Sequence, residues 1–126
     1  MLSLLRSKGR VLLLDDDAAM QRLVMLLLKR QGYRVDAVSK GNQAIEQLKA
    51  RRYDAILLDL MMPHEGGVTV MAHLRQHDPA MLRRVVLVTG APEQLLQNYR
   101  AEIFDVLRKP FDGSSLTAVV DRLTTA

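Results

Sequence analysis

Five short apolar runs punctuate the chain, and longer amphipathic stretches separate them. Val11, Leu12, Leu13 and Leu14 form the first, which ends in acids. Tyr33–Val38 is a weaker second, and Ala55–Leu58 a third that again ends in an acid. The fourth covers residues 85–88 and ends in Thr89; the fifth covers residues 103–107 and ends near Lys109. Continuous apolar runs of this length suit strands covered on both faces, hence a parallel sheet. Between them the period changes to that of a helix. Met20, Leu23, Val24 and Leu27 share one helical face, which turns Met25 and Leu26 away from the core. Ala44, Ile45 and Leu48 share another, as do Leu116, Val119, Val120 and Leu123.

Punctuation residues support these boundaries. Gly32 is a stop for the first helix, Pro92 a first-turn residue of the fourth, and Asp112 or Ser114 a cap for the fifth. The pattern therefore predicts a (βα) unit repeated five times: a doubly wound, three-layer α/β sandwich around a parallel sheet.

Length and composition fit one soluble domain, expected over residues 1–126 with its core over about 10–123. Of the 126 residues, 48% are hydrophobic and 25% charged, the balance of an ordinary globule. Cysteine is absent, which removes disulfides and thiolate metal sites and fits a cytoplasmic location. No apolar run nears the ~18 residues of a membrane span. The stretch from Met1 to Arg10 is too short and too charged for a secretory signal.

In open α/β sheets, ligands bind beyond the carboxyl ends of the strands. Strand 1 ends in Asp15, Asp16 and Asp17, strand 3 in Asp59, strand 4 in Thr89, and Lys109-Pro110 follows strand 5. Clustered carboxylates repel: a pair at ~4 Å costs about 4 kcal/mol at an effective dielectric of 20. A compensating cation is expected, and an oxygen-only donor set without His or Cys suits Mg²⁺. A carboxylate beside Mg²⁺ is a competent nucleophile toward phosphorus. A lysine adds a second positive charge for phosphoryl oxygens, and a threonine hydroxyl can donate to them.

At these residues the chain resembles the receiver domains of two-component response regulators. The run from Val11 to Asp17 looks like their acidic-pair strand. The run Tyr53 to Asp59, then Met62-Pro63 and Gly67, looks like the phosphoacceptor strand and its loop. Residues 85–90, with Thr89-Gly90, and Arg108-Lys109-Pro110-Phe111 resemble the remaining motifs. Four motifs in order over most of the chain make a strong match.

The resemblance implies a flavodoxin-like strand order 2-1-3-4-5. It implies Asp59 as phosphoacceptor, with Asp15, Asp16, Asp59 and the Met61 backbone carbonyl around Mg²⁺. Thr89 and Lys109 would contact the phosphoryl group, and Pro110 would follow a cis bond. The implied donor is a histidine kinase or histidine phosphotransfer protein, docking near the first helix at Met25 and Leu26. A homodimer through helices 4 and 5 is a further implied contact. The chain's only catalysis would be its own phosphorylation and dephosphorylation.

Two departures stand out. Val106 occupies the position where many receivers carry Tyr or Phe, and it cannot make an aromatic ring's switching movement. The stretch from Thr89 to Lys109 is about two residues shorter than the common pattern, so a short or irregular fourth helix is expected.

Asp17 is better suited to cap the first helix than to bind metal. His64 reads as a solvated loop residue rather than a site group. A haloacid-dehalogenase-like phosphatase would use Asp15 as nucleophile with Thr89 and Lys109, but would leave Asp59 idle. A non-phosphorylated pseudo-receiver would not need the full set Asp15, Asp16, Asp59, Thr89 and Lys109. The net charge is +4, and Lys8, Arg10, Lys29, Arg30, Lys49, Arg51, Arg52, Arg83, Arg84 and Arg100 are expected at the pole opposite the acids. Cations favour helix C-termini, which accounts for such a distribution. With no recognition helix or aromatic platform, nucleic acid is not an expected partner of this domain, nor is a membrane.

Overall fold

The computed structural model describes residues 7–63 and 66–125. His64 and the first six residues of the proposed non-signal stretch lie outside this range. Ten elements alternate in type: β1 (Gly9–Leu14), α1 (Ala18–Arg30), β2 (Tyr33–Val38), α2 (Gly41–Ala50), β3 (Ala55–Leu58), α3 (Gly67–His77), β4 (Val85–Thr89), α4 (Glu93–Leu96), β5 (Asp105–Arg108) and α5 (Gly113–Thr125). A 3-10 helix, Pro79–Arg84, leads into β4. The strands pair in the order β2-β1-β3-β4-β5 and all pairs are parallel. This is the doubly wound, three-layer arrangement that the alternation of runs predicts.

The strand runs are continuous because both faces are covered. Leu12, Leu14, Ile56, Leu58, Val85 and Leu87 face one layer, where they meet Ala44 of α2 and Val70, Met71 and Leu74 of α3. Val11, Leu13, Ala55, Leu57, Val86 and Val88 face the other, with Val24 and Leu28 of α1 and Leu116, Val119, Val120 and Leu123 of α5. Successive strand residues point to opposite sides, so two interleaved sets fill two half-cores. Each fully buried aliphatic side chain contributes roughly 1.5–3 kcal/mol.

Local signals set the boundaries. Asp17 caps α1, its carboxylate accepting from the Ala19 and Met20 N–H groups at 2.9 and 3.2 Å. Gly32, at φ 101°, ends it by donating to the Lys29 carbonyl, a left-handed position that suits glycine. Gln43 caps α2, accepting from the backbone N–H groups of Ser39 and Lys40. Asp112 accepts from the Ser115 N–H at the start of α5.

Four expectations need correction. Leu23 does not face the core: it is 44% exposed, while Met25 is partly buried against the α1–α5 half-core. The helix is rotated so that Val24 and Leu28 are central, which makes Leu23 and Leu26, not Met25 and Leu26, the outward apolar pair. Pro92 is the residue that precedes α4 rather than one inside its first turn. The fifth strand starts at Asp105, two residues later than the apolar run, because Ile103 turns into the core and Phe104 only donates to the Val85 carbonyl. Helix α4 is a single turn of four residues followed by turns, the irregularity expected from the shortened stretch. Buried Leu96, Tyr99 and Ile103 fill the space beneath it.

Candidate functional site

Parallel strands deliver their carboxyl ends to one edge of the sheet. Asp15 follows β1, Asp59 follows β3, Thr89 closes β4 and Lys109 follows β5. Backbone bonds continue the ladder past the strands and fix these residues in register: Asp59 N–H donates to the Leu14 carbonyl at 3.1 Å, and Lys109 N–H to the Thr89 carbonyl at 3.0 Å. The peptide between Lys109 and Pro110 is cis.

The side chains converge. The Lys109 ammonium donates to Asp15 Oδ2 at 2.6 Å and to Asp59 Oδ2 at 3.0 Å. Thr89 Oγ1 donates to Asp59 Oδ1 at 2.8 Å, and the Met61 N–H donates to the same oxygen at 2.9 Å. Thr89, Asp15 and Asp59 are buried, at 0%, 1% and 6% exposure. Buried charges of one sign persist only when compensated, and Lys109 supplies that compensation. Burial alone would pull its pKa down, but the hydrogen bonds it donates to Asp15 and Asp59, with their negative charges, outweigh burial and hold it above the ordinary lysine value.

Asp16 is exposed and completes an acidic cluster. One carboxylate oxygen each from Asp15, Asp16 and Asp59 lie within 4.8 Å of one another. Asp15, Asp16 and Asp59 would hold a divalent ion here, which would neutralise their mutual repulsion. Oxygen-only donors, two of them buried, fit magnesium better than zinc or copper. Asp17 stands outside this cluster and serves as the α1 cap.

Several contributors were not singled out from the sequence. Gln21 ties the end of β1 to β2: its amide donates to the Asp15 carbonyl at 2.7 Å and to the Val38 carbonyl at 2.9 Å. Its place one turn after the Asp17 cap is the signal that could have found it. The Asp17 N–H donates to Asp15 Oδ1 at 2.9 Å and orients that carboxylate. The Ala91 N–H donates to Thr89 Oγ1 at 3.2 Å, coupling the β4–α4 loop to the hydroxyl that holds Asp59. Gly67, which does appear in the sequence motif, has a definite reason: its N–H donates to the Asp59 carbonyl at 2.9 Å, and a Cβ there would lie 2.5 Å from that oxygen. The Met61 side chain is 57% exposed beside the site.

Comparison with known proteins follows the same residues. A family model described as the response regulator receiver domain matches residues 11–121. The transcriptional regulatory protein ResD of Bacillus subtilis is 33% identical over 93% of this chain and 48% of its own length. The transcription factor SKN7 of Saccharomyces cerevisiae is 32% identical over 94% of this chain and 19% of its own length. The chain thus spans about half, or less, of these relatives. Among solved structures, the receiver domain of sensor histidine kinase PA1611 from Pseudomonas aeruginosa superposes with a TM-score of 0.82. It is 28% identical, with 94% of this chain and 98% of that one covered, and is described with a magnesium ion coordinated in its active-site cleft. A sensor protein from Polaromonas is also 28% identical, with a TM-score of 0.80 over 92% of this chain and 95% of that one.

Proposed function

Because the chain belongs to the response regulator receiver domain family, we propose that it accepts a phosphoryl group onto Asp59 from a phosphohistidine of a partner protein and switches conformation in response. The observation that carries this reading is the environment of Asp59. Its buried carboxylate is shared by a hydroxyl, a backbone N–H and an ammonium, and two further aspartates stand beside it.

The chemistry is one in-line displacement. A carboxylate oxygen of Asp59 forms the new bond to phosphorus while the donor's P–N bond breaks, and the electron pair leaves with the imidazole. Asp15, Asp16 and Asp59, with the Met61 backbone carbonyl, would hold Mg²⁺. That ion supplies charge neutralisation for the transferring group. Lys109, already against the Asp59 carboxylate, moves its ammonium onto a phosphoryl oxygen. Thr89 gives up its hydrogen bond to the carboxylate and donates to the phosphoryl group instead. That movement draws on the Ala91 N–H bonded to Thr89 and so displaces the β4–α4 loop. Water attack on phosphorus then breaks the acyl-phosphate P–O bond and resets the site. The chain acts on its own side chain and turns over no separate substrate.

The donor is a histidine kinase or phosphotransfer protein. Leu23 and Leu26, exposed at 44% and 50% on α1, offer an apolar face for a helical partner. A homodimer through α4 and α5 would draw mainly on α5 and β5, since α4 is a single turn. Among the described residues no helix is long and apolar enough to cross a membrane, and a cytoplasmic setting suits a cysteine-free signalling module.

Beryllium fluoride with Mg²⁺ mimics the phosphorylated carboxylate and tests the reading. Amide resonances near Asp59, Thr89, Ala91 and Lys109 should shift in the native protein and stay fixed in Asp59→Asn. An unchanged native spectrum would identify a pseudo-receiver instead.

A further inference from the structure

A cavity of about 400 Å³ opens at the pole of the sheet opposite the acidic edge, where α2 and α3 end. Its volume lies within the range of small-molecule sites. Leu48, buried Leu74 and Met81 form an apolar floor. Lys49, Arg51 and Arg52 stand on one side, and His73 and His77 on the other, their rings 4.7 Å apart.

Cations at helix C-termini ordinarily serve as counter-charge to the helix dipole. Arg51 and Arg52 lie beyond the last residue of α2, and with Lys49 they line a concavity whose wall is part apolar and part polar. Among the described residues, none of Lys49, Arg51 and Arg52 has a carboxylate within 4.0 Å; Arg22, Lys29, Arg30, Arg34, Lys40, Arg83 and Arg84 share that property, but here three such cations line one cavity. Asp78 is the one acid in the lining, and the 3-10 helix adds only uncharged Ala80 and Met81.

We propose that this cavity binds a small organic anion with an apolar body and at least two phosphate-like charges, and holds it more tightly as His73 becomes protonated. The guanidinium groups suit tetrahedral oxyanions, and the floor suits a ring. Burial, together with the positive charges of His77 and Lys49, keeps His73 below the usual imidazole value. A seated anion offsets the repulsion from the neighbouring cations, so binding and proton uptake at His73 reinforce one another. This site shares no residue with the acidic edge and stands whether or not Asp59 is phosphorylated.

The test is an NMR titration of the whole chain without Mg²⁺, using naphthalene disulfonate, whose charge is constant across neutral pH, and inorganic sulfate as the ring-free control. The disulfonate should shift resonances confined to residues 48–52, 73–78 and 80–81. It should bind more tightly than sulfate, and roughly fivefold more tightly at about pH 6 than at about pH 8. Arg51→Gln with Arg52→Gln should abolish saturable binding. His73→Gln with His77→Gln should retain binding and lose its pH dependence. Shifts scattered over all basic residues, equal binding of sulfate and disulfonate, or full binding by the double arginine variant would each overturn the proposal.

Discussion

Thr89 Oγ1 donates to Asp59 Oδ1 at 2.8 Å while accepting from the Ala91 N–H. One buried hydroxyl therefore links the carboxylate to the loop after β4. Thr89→Val keeps the shape and removes the link. It leaves the Ala91 N–H without its acceptor, which costs about 1–3 kcal/mol. The variant should still take up phosphate from acetyl phosphate at Asp59. Its resonances at Ala91 and in α4 should no longer respond, and a full native response in that spectrum would remove Thr89 from the switch.

Lys109 bridges Asp15 and Asp59, and its removal leaves two buried carboxylates with no cation. Lys109→Met should lower stability by about 2–4 kcal/mol at neutral pH without metal, and Mg²⁺ should stabilise this variant more than the native protein. Denaturant melts give both values. The folded-state pKa of Lys109 is raised above its ordinary 10.5. Its contribution is therefore fully present below that value and is lost as pH rises through the higher, folded value. The gap between native and variant should be flat through neutral pH and close only in the alkaline range above about 10.5.

Gly67 sits where a Cβ would lie 2.5 Å from the Asp59 carbonyl oxygen and 3.0 Å from its carbon. Both are backbone atoms, so relief requires the β3–α3 loop to shift. Gly67→Ala should destabilise by about 1–3 kcal/mol and slow labelling of Asp59. Chemical denaturation and acetyl phosphate kinetics would show it; native values in both would mean that the loop yields freely.

Leu23 and Leu26 contact solvent, so Leu23→Ala with Leu26→Ala should change stability by no more than about 0.5 kcal/mol per site. Phosphotransfer from a phosphohistidine protein should slow by tenfold or more, an effect on the order of 1.4 kcal/mol. Labelling by acetyl phosphate, which needs no docking, should be unchanged. Equal rates from the protein donor would move the docking face away from α1.

The strands and the site could be read from the residues because each rests on a strong local signal. A strand covered on both faces must be apolar throughout, as residues 55–58 are, and parallel pairing sends every strand end to one edge. The order of the strand ends alone therefore brings Asp15, Asp59, Thr89 and Lys109 together. The phase of α1 was not legible, since Leu23, Met25, Leu26 and Leu27 are all apolar and several rotations bury a similar area. Packing against α5 selects the one centred on Val24 and Leu28. Gln21 and the N–H groups of Met61 and Ala91 carry little sequence signal for a different reason: their role is to complete hydrogen bonds whose partners are fixed only by the fold. The 3-10 helix at Pro79–Arg84 has too few turns to carry a periodicity.

Incubation with acetyl phosphate and Mg²⁺, followed by reductive trapping and peptide mass mapping, addresses the assignment of Asp59 directly. A single trapped modification on the peptide carrying Asp59, absent when Mg²⁺ is chelated, is the predicted result. Modification of Asp15 instead, or undiminished labelling of Asp59→Asn, would contradict it.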